Sequence, residues 1–167
     1  MSLPEALTAK ANEVLELCRL HGVMLATAES CTGGLVAAAL TAISGSSSVV
    51  ERGFVTYSNQ AKTEMLGVPE ALIEAHGAVS AEVARAMAEG ALTHSRADVS
   101  LSITGIAGPD GGTATKPVGT VHIAAAQTGA QVLHRPCLFE GDRDAVREQA
   151  AIAAMDLLLD RICAFRR

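Results

Sequence analysis

An α/β fold is expected for this 167-residue chain: a three-layer α/β/α sandwich with a mixed β-sheet, in a single domain over residues 1–167. Three observations lead there. Stretches with helical periodicity alternate with short runs of branched residues. Two late apolar runs are separated only by Thr128-Gly129-Ala130, a hairpin spacing that puts antiparallel strands into the sheet. The length suits one sizeable core, and no linker, repeat or low-complexity tract marks a second.

Taken in order, Ser2 and Glu5 read as an S-x-x-E capping box with Pro4 in the first turn, opening a helix over 5–20 that stops at His21-Gly22. A short strand follows at 23–27. It runs into Ala28-Glu29-Ser30-Cys31-Thr32-Gly33-Gly34 and then an alanine-rich helix over 35–43, closed by Ser44-Gly45. Residues 46–48 form a polar loop and 49–57 a strand. A short helix over 59–66 is stopped by Gly67, and Pro69 opens a turn that ends at His76-Gly77. Ser80 caps a helix over 81–94, with Glu82 in the first turn where the helix dipole favours a carboxylate. A strand over 99–104, a glycine-rich loop over 105–117, the hairpin 118–127 and 131–139, and a helix from Gly141-Asp142-Arg143 to about 165 complete the chain.

Composition excludes several functions. Apolar residues make up 49% but aromatic ones 2%, with one tyrosine, three phenylalanines and no tryptophan. Stacking platforms for single-stranded nucleic acid and cages for quaternary amines both need such rings. A net charge of −5 with only Lys10, Lys62 and Lys116 as lysines argues against a basic face for duplex DNA, so no nucleic-acid partner is expected. Mean hydropathy is +0.30, yet no window of about 18 residues is continuously apolar, so no membrane span is expected. Residues 1–10 carry no basic segment ahead of an apolar stretch, and Cys18, Cys31, Cys137 and Cys163 are scattered. Both features suit a cytoplasmic protein with reduced thiols.

Signatures for nucleotide loops, zinc proteases and the GxSxG nucleophile turn are missing, and the five histidines sit at no metal-like spacing. No metal and no cofactor are expected. Three segments at strand ends remain. Glu29 to Gly34 is a strand-to-helix turn that would expose Ser30 beside free helix N–H groups. It suits a nucleophile, a phosphate, or simply a capped helix with glycines for close packing. Tyr57-Ser58-Asn59-Gln60-Ala61-Lys62 pairs a tyrosine with a lysine, which reads either as acid-base chemistry or as a surface turn. Thr104 to Gly112 holds enough glycine for backbone N–H groups to converge on an anion, or forms a flexible connection.

Together the strings TAESCTGG (27–34), YSNQAK (57–62), HGAVS (76–80), TGIAGPDGG (104–112), KPVGTV (116–121) and FEGDRDAVR (139–147) resemble the CinA C-terminal domain family, from about residue 5 to residue 163. The resemblance implies a nicotinamide-nucleotide amidase, hydrolysing nicotinamide mononucleotide to nicotinate mononucleotide and ammonia in pyridine nucleotide salvage. Larger members carry a further N-terminal domain, so this chain resembles the stand-alone form. The resemblance also implies Ser30 as nucleophile with Lys62 as base and Tyr57 completing the set, relaying a proton or orienting Lys62. Thr32, Gly33, Gly34, Thr104, Gly105, Gly108 and Arg143 are the expected substrate-binding residues, with N–H groups at 32–34 stabilising an oxyanion and Arg143 as first candidate for the phosphate. Glu29 is expected to orient the turn or to pair with Lys62, and Cys31 is a lesser candidate nucleophile. The alternative is a non-catalytic nucleotide- or phosphate-binding module. Alanine-faced helices suit a homodimer interface as well as core packing.

Overall fold

The computed structural model describes residues 2–165. A five-stranded mixed sheet has the order β2-β1-β3-β4-β5, formed by β1 (Leu25–Glu29), β2 (Val50–Val55), β3 (Val99–Gly105), β4 (Thr120–Gln127) and β5 (Leu133–Leu138). The first three strands are parallel, and the hairpin adds β4 and β5 antiparallel to β3. On one face lie α1 (Glu5–His21), α2 (Leu35–Thr41) and α6 (Arg143–Cys163). On the other lie α3 (Asn59–Leu66), α4 (Glu70–His76) and α5 (Ala81–Thr93). The three-layer mixed sandwich is therefore as the sequence predicts.

Each face is sealed differently. The α1/α2/α6 face is packed with large aliphatics, among them Leu15, Leu25, Leu101, Ile123, Met155 and Leu158, all fully buried. Such a side chain stabilises the fold by about 1.5–3 kcal/mol when it leaves water. The other face has its own apolar cluster, with Leu66, Val83 and Met87 buried, but where α5 crosses β3 and β4 it is built from small residues. Ala84 and Ala88 let α5 come so close that the Ser100 and Ser102 hydroxyls of β3 donate to the Ala88 and Ala84 carbonyls at 2.6 Å. Gly90 of α5 lies against the Leu66 carbonyl at the end of α3, where any Cβ would collide with backbone. That contact seats α3, the helix that carries Lys62.

Several details differ from the sequence reading. The Ser2/Glu5 capping box does not form: Pro4 itself stands at the N-cap of α1, and no side chain caps the helix. The first strand begins and ends two residues later than expected, because Val23 and Met24 are held by Cys18 O and by the Asp98 carboxylate while pairing continues through Glu29. Residues 46–48 form one turn of 3-10 helix, and the turn after Pro69 is a seven-residue helix, α4. The hairpin strands are shorter than expected at both outer ends.

Candidate active site

Strand β1 ends in a carboxylate that never reaches solvent. Glu29 is 1% exposed, and its oxygens accept from the N–H groups of Val36 (2.9 Å) and Ala37 (3.1 Å) in the first turn of α2. The N-cap of α2 is Gly34, which has no side chain to accept those donors, so the preceding strand supplies the acceptor. Glu29 thus orients the turn and does not pair with Lys62.

The intervening turn is fixed at both ends. Ser30 N–H donates to Ile103 O of β3, and Gly33 N–H donates to Ser30 O, both at 2.9 Å. Gly33 and Gly34 have φ of +59° and +99°, in the left-handed region open to glycine. Arg147 reaches over from α6, its Nε donating to Cys31 O (3.2 Å) and its NH2 to Thr32 O (3.0 Å). Arg147 lies within the FEGDRDAVR string, but nothing local in the sequence shows that α6 crosses this turn.

Ser30 meets its partner from the opposite face of the sheet. Ser58 caps α3 by accepting from Ala61 N–H, and Lys62 lies on the inward side of that helix, one turn before buried Leu66. Lys62 is 2% exposed; its Nζ donates to Ser30 Oγ and to Thr56 O, each at 3.0 Å. Burial pulls the ammonium pKa below the usual lysine value, against a smaller opposing effect of Cys31. Among the described residues no carboxylate bonds to it. Beside it, burial pushes the Cys31 thiol up to about 11, so at neutral pH it is a thiol and a poor nucleophile.

A cleft of about 240 Å³ opens over Ser30, lined also by Cys31, Tyr57, Arg143 and the loop from Gly105 to Gly111. Arg143, the first residue of α6, donates to Gly108 O at 2.7 Å and to the Tyr57 hydroxyl at 2.9 Å. Tyr57 is mostly exposed at the cleft mouth, and its hydroxyl is bonded to Arg143 rather than to Ser30 or Lys62, so the expected relay or orientation of Lys62 has no hydrogen bond behind it. Thr104 is buried, with its hydroxyl donating to Ala78 O. Gly105 and Gly108 line the cleft; a Cβ on Gly105 would press on Val121 and on the Cys31 sulfur, and one on Gly108 on Val118. Thr32, Gly33 and Gly34 lie in the turn just outside that lining, and the Gly33 N–H is already engaged.

An α/β/α sandwich with a buried lysine bonded to a serine at a strand end, under a glycine-rich loop and an arginine, defines an α/β protein with a serine–lysine site. The chain belongs to the CinA C-terminal domain family, whose model matches residues 7–162. It is similar to the nicotinamide-nucleotide amidohydrolase PncC of Escherichia coli strain K12, 53% identical over 149 residues, covering 89% of this chain and 90% of that protein. A CinA-like protein of Citrifermentans bemidjiense is 57% identical over 142 residues, 85% of this chain but 34% of its own length, so the chain spans about a third of that relative. The crystal structure of the competence/damage inducible protein CihA from Agrobacterium tumefaciens superposes with a TM-score of 0.93 at 46% identity, covering 96% of this chain and 98% of that one.

Proposed function

We propose that the protein is a nicotinamide-nucleotide amidase, converting nicotinamide mononucleotide to nicotinate mononucleotide and ammonia in pyridine nucleotide salvage, with Ser30 as nucleophile and Lys62 as base. The observation that carries the mechanism is the contact of a buried Lys62 Nζ with Ser30 Oγ at 3.0 Å. An ammonium has three donors, and the protein offers Nζ one obligate acceptor, Thr56 O, plus a hydroxyl that can reverse its role. A neutral amine fits that set: one N–H goes to Thr56 O, and its lone pair takes the serine proton. The similarity to proteins named for this activity supports the substrate.

The bonds balance without a further reagent. Ser30 Oγ attacks the amide carbon as its proton passes to Lys62, and the carbonyl electrons move onto oxygen. When they return, the carbon–nitrogen bond breaks and the departing nitrogen takes the proton from Lys62 as ammonia. Water then adds to the acyl-serine, its proton going to Lys62, and on collapse the carbon–Oγ bond breaks, Lys62 returns that proton to Ser30 Oγ and the nicotinate product leaves.

Free N–H groups surround the nucleophile. Those of Thr32, Ala107 and Gly108 have no acceptor among the described residues, and that of Cys31 has only its own sulfur. At the mouth, Arg143 is the candidate for the phosphate, with the N–H groups of the glycine-rich loop beside it. The test is ammonia release from nicotinamide mononucleotide. Steady release by the wild type and its loss in Ser30→Ala are expected; binding of the mononucleotide without ammonia would favour a nucleotide-binding module instead.

A further inference from the structure

Three successive carbonyls of the nucleophile turn are committed. Ser30 O accepts from Gly33 N–H, Cys31 O from the Arg147 guanidinium, and Thr32 O from both Arg147 and Leu35 N–H. In a planar trans peptide the C=O and the following N–H point in opposite directions, so fixing a carbonyl fixes the next N–H. The Ser30 carbonyl thereby sets Cys31 N–H, and the Cys31 carbonyl, gripped by Arg147, sets Thr32 N–H. Among the described residues Thr32 N–H has no acceptor and Cys31 N–H has only its own sulfur, and Cys31 lines the cleft next to Ser30.

We propose that Arg147 is a positioning residue for the oxyanion: by holding the Cys31 carbonyl toward α6, it turns the Thr32 N–H toward the place where negative charge develops. The inference rests on the amidase reading above. The guanidinium is suited to the task, since its rigid fork reaches two neighbouring carbonyls with one side chain. The N–H of the residue after a serine nucleophile is a recurrent oxyanion donor on other folds. Arg147 is not itself drawn to a strong counter-charge, for the Asp144 carboxylate stands at 4.0 Å and is largely exposed. Gly33 supplies the left-handed φ of +59° at this turn; the site of its missing Cβ is 3.7 Å from the Arg147 NH2, an ordinary contact distance.

An oxyanion donor acts on the transition state and leaves substrate binding alone, which separates this role from a structural or a phosphate-binding one. The experiment compares wild type with Arg147→Lys and Arg147→Ala, using nicotinamide mononucleotide, its aldehyde analogue and the nicotinate product. On the aldehyde, Ser30 Oγ bonds to carbon, the carbonyl electrons go onto oxygen and the serine proton goes to Lys62, giving a tetrahedral adduct. Removing an oxyanion donor outright costs about 100- to 1,000-fold in kcat, so a misaligned one is expected to cost about 10- to 100-fold. In both variants kcat and the aldehyde affinity should fall together by that factor, Lys less than Ala, with KM and product affinity within about twofold. A kcat within twofold of wild type, an unchanged aldehyde affinity, or a loss confined to KM and product affinity overturns the proposal. Arg147→Lys keeps the charge and the helix propensity, so it remains informative if Arg147→Ala does not fold. Failure of the amidase reading looks different: the wild type then releases no ammonia, or Ser30→Ala still does.

Discussion

Lys62 Nζ and Ser30 Oγ stand 3.0 Å apart although the residues belong to helices and strands on opposite sides of the sheet's edge, and both side chains are buried. The lysine comes from α3, packed on the α5 face, while the serine follows β1 and its neighbours Glu29 and Cys31 are held from the other face by α2 and α6. The pair therefore reports the register of the whole sandwich, and its chemistry depends on contacts far from either atom.

Lys62 should set the pH dependence of both activity and stability. Its folded pKa lies below the unfolded value, so the folded state binds fewer protons between the two. Stability contributed by this group is then fully present above the unfolded pKa of about 10.4 and lost as pH falls through the folded pKa. The wild type should gain stability with rising pH across that window, whereas Lys62→Met should lack this slope and be more stable at neutral pH, with turnover reduced by orders of magnitude. Denaturant melts and initial rates at a series of pH values check both.

Gly90→Ala tests the seating of α3. In an exposed helix the change would gain about 1 kcal/mol, but here the Cβ would collide with the Leu66 carbonyl. Overpacking of this kind typically costs about 1–3 kcal/mol, so a lower Tm is expected, with kcat falling as the Lys62–Ser30 distance changes. A more stable, fully active variant would show that α3 tolerates displacement.

Glu29→Ala removes the acceptor for Val36 and Ala37 N–H at the start of α2. Unpaired buried donors cost about 1–3 kcal/mol, and Glu29→Gln should recover part of the loss because one oxygen remains. Chemical denaturation of the two variants against wild type measures the difference.

Arg143→Ala should raise KM for the mononucleotide about 10- to 100-fold, the range expected for losing a hydrogen bond to a charged group. Free nicotinamide, which has no phosphate, should be affected far less. Equal effects on both amides would move the phosphate to the glycine-rich loop.

His122 and His134 stack with ring centroids 5.2 Å apart, and Nδ1 of the first lies 2.9 Å from Nε2 of the second. Burial foremost lowers both pKa values, helped by Lys116 at His122 and by the pairing and Arg85 at His134; Glu82 opposes. Their contribution is fully present above the unfolded pKa of about 6.5 and lost as pH falls through the folded values. His134→Gln should therefore flatten the acid side of the stability profile below pH 6.5, as measured by thermal melts.

Structure is most legible in the sequence where local chemistry decides it. Gly22, Gly67 and Ser80 mark helix ends that stand where expected, because capping and left-handed turns are settled within a few residues. It is least legible where a distant element intervenes. Ser2 and Glu5 look like a capping box, yet the helix takes Pro4 as its cap; Glu29 looks like part of the turn after a short strand, yet it ends β1 and α2 needs its carboxylate. Ser30 stands out just after one strand and Lys62 in the short helix after the next, but their contact arises from the crossover that lays β2 beside β1. Tyr57 drew attention as the chain's one tyrosine, and only the position of Arg143, 86 residues on, shows where its hydroxyl is directed.

The central claim, covalent catalysis by Ser30, is tested most directly by rapid-quench mass spectrometry of the wild type turning over nicotinamide mononucleotide. The account predicts a transient adduct equal to the substrate less ammonia, located on the peptide that carries Ser30 and absent from Ser30→Ala. Ammonia release at full rate with no adduct on that peptide, or with undiminished turnover in Ser30→Ala, would contradict it.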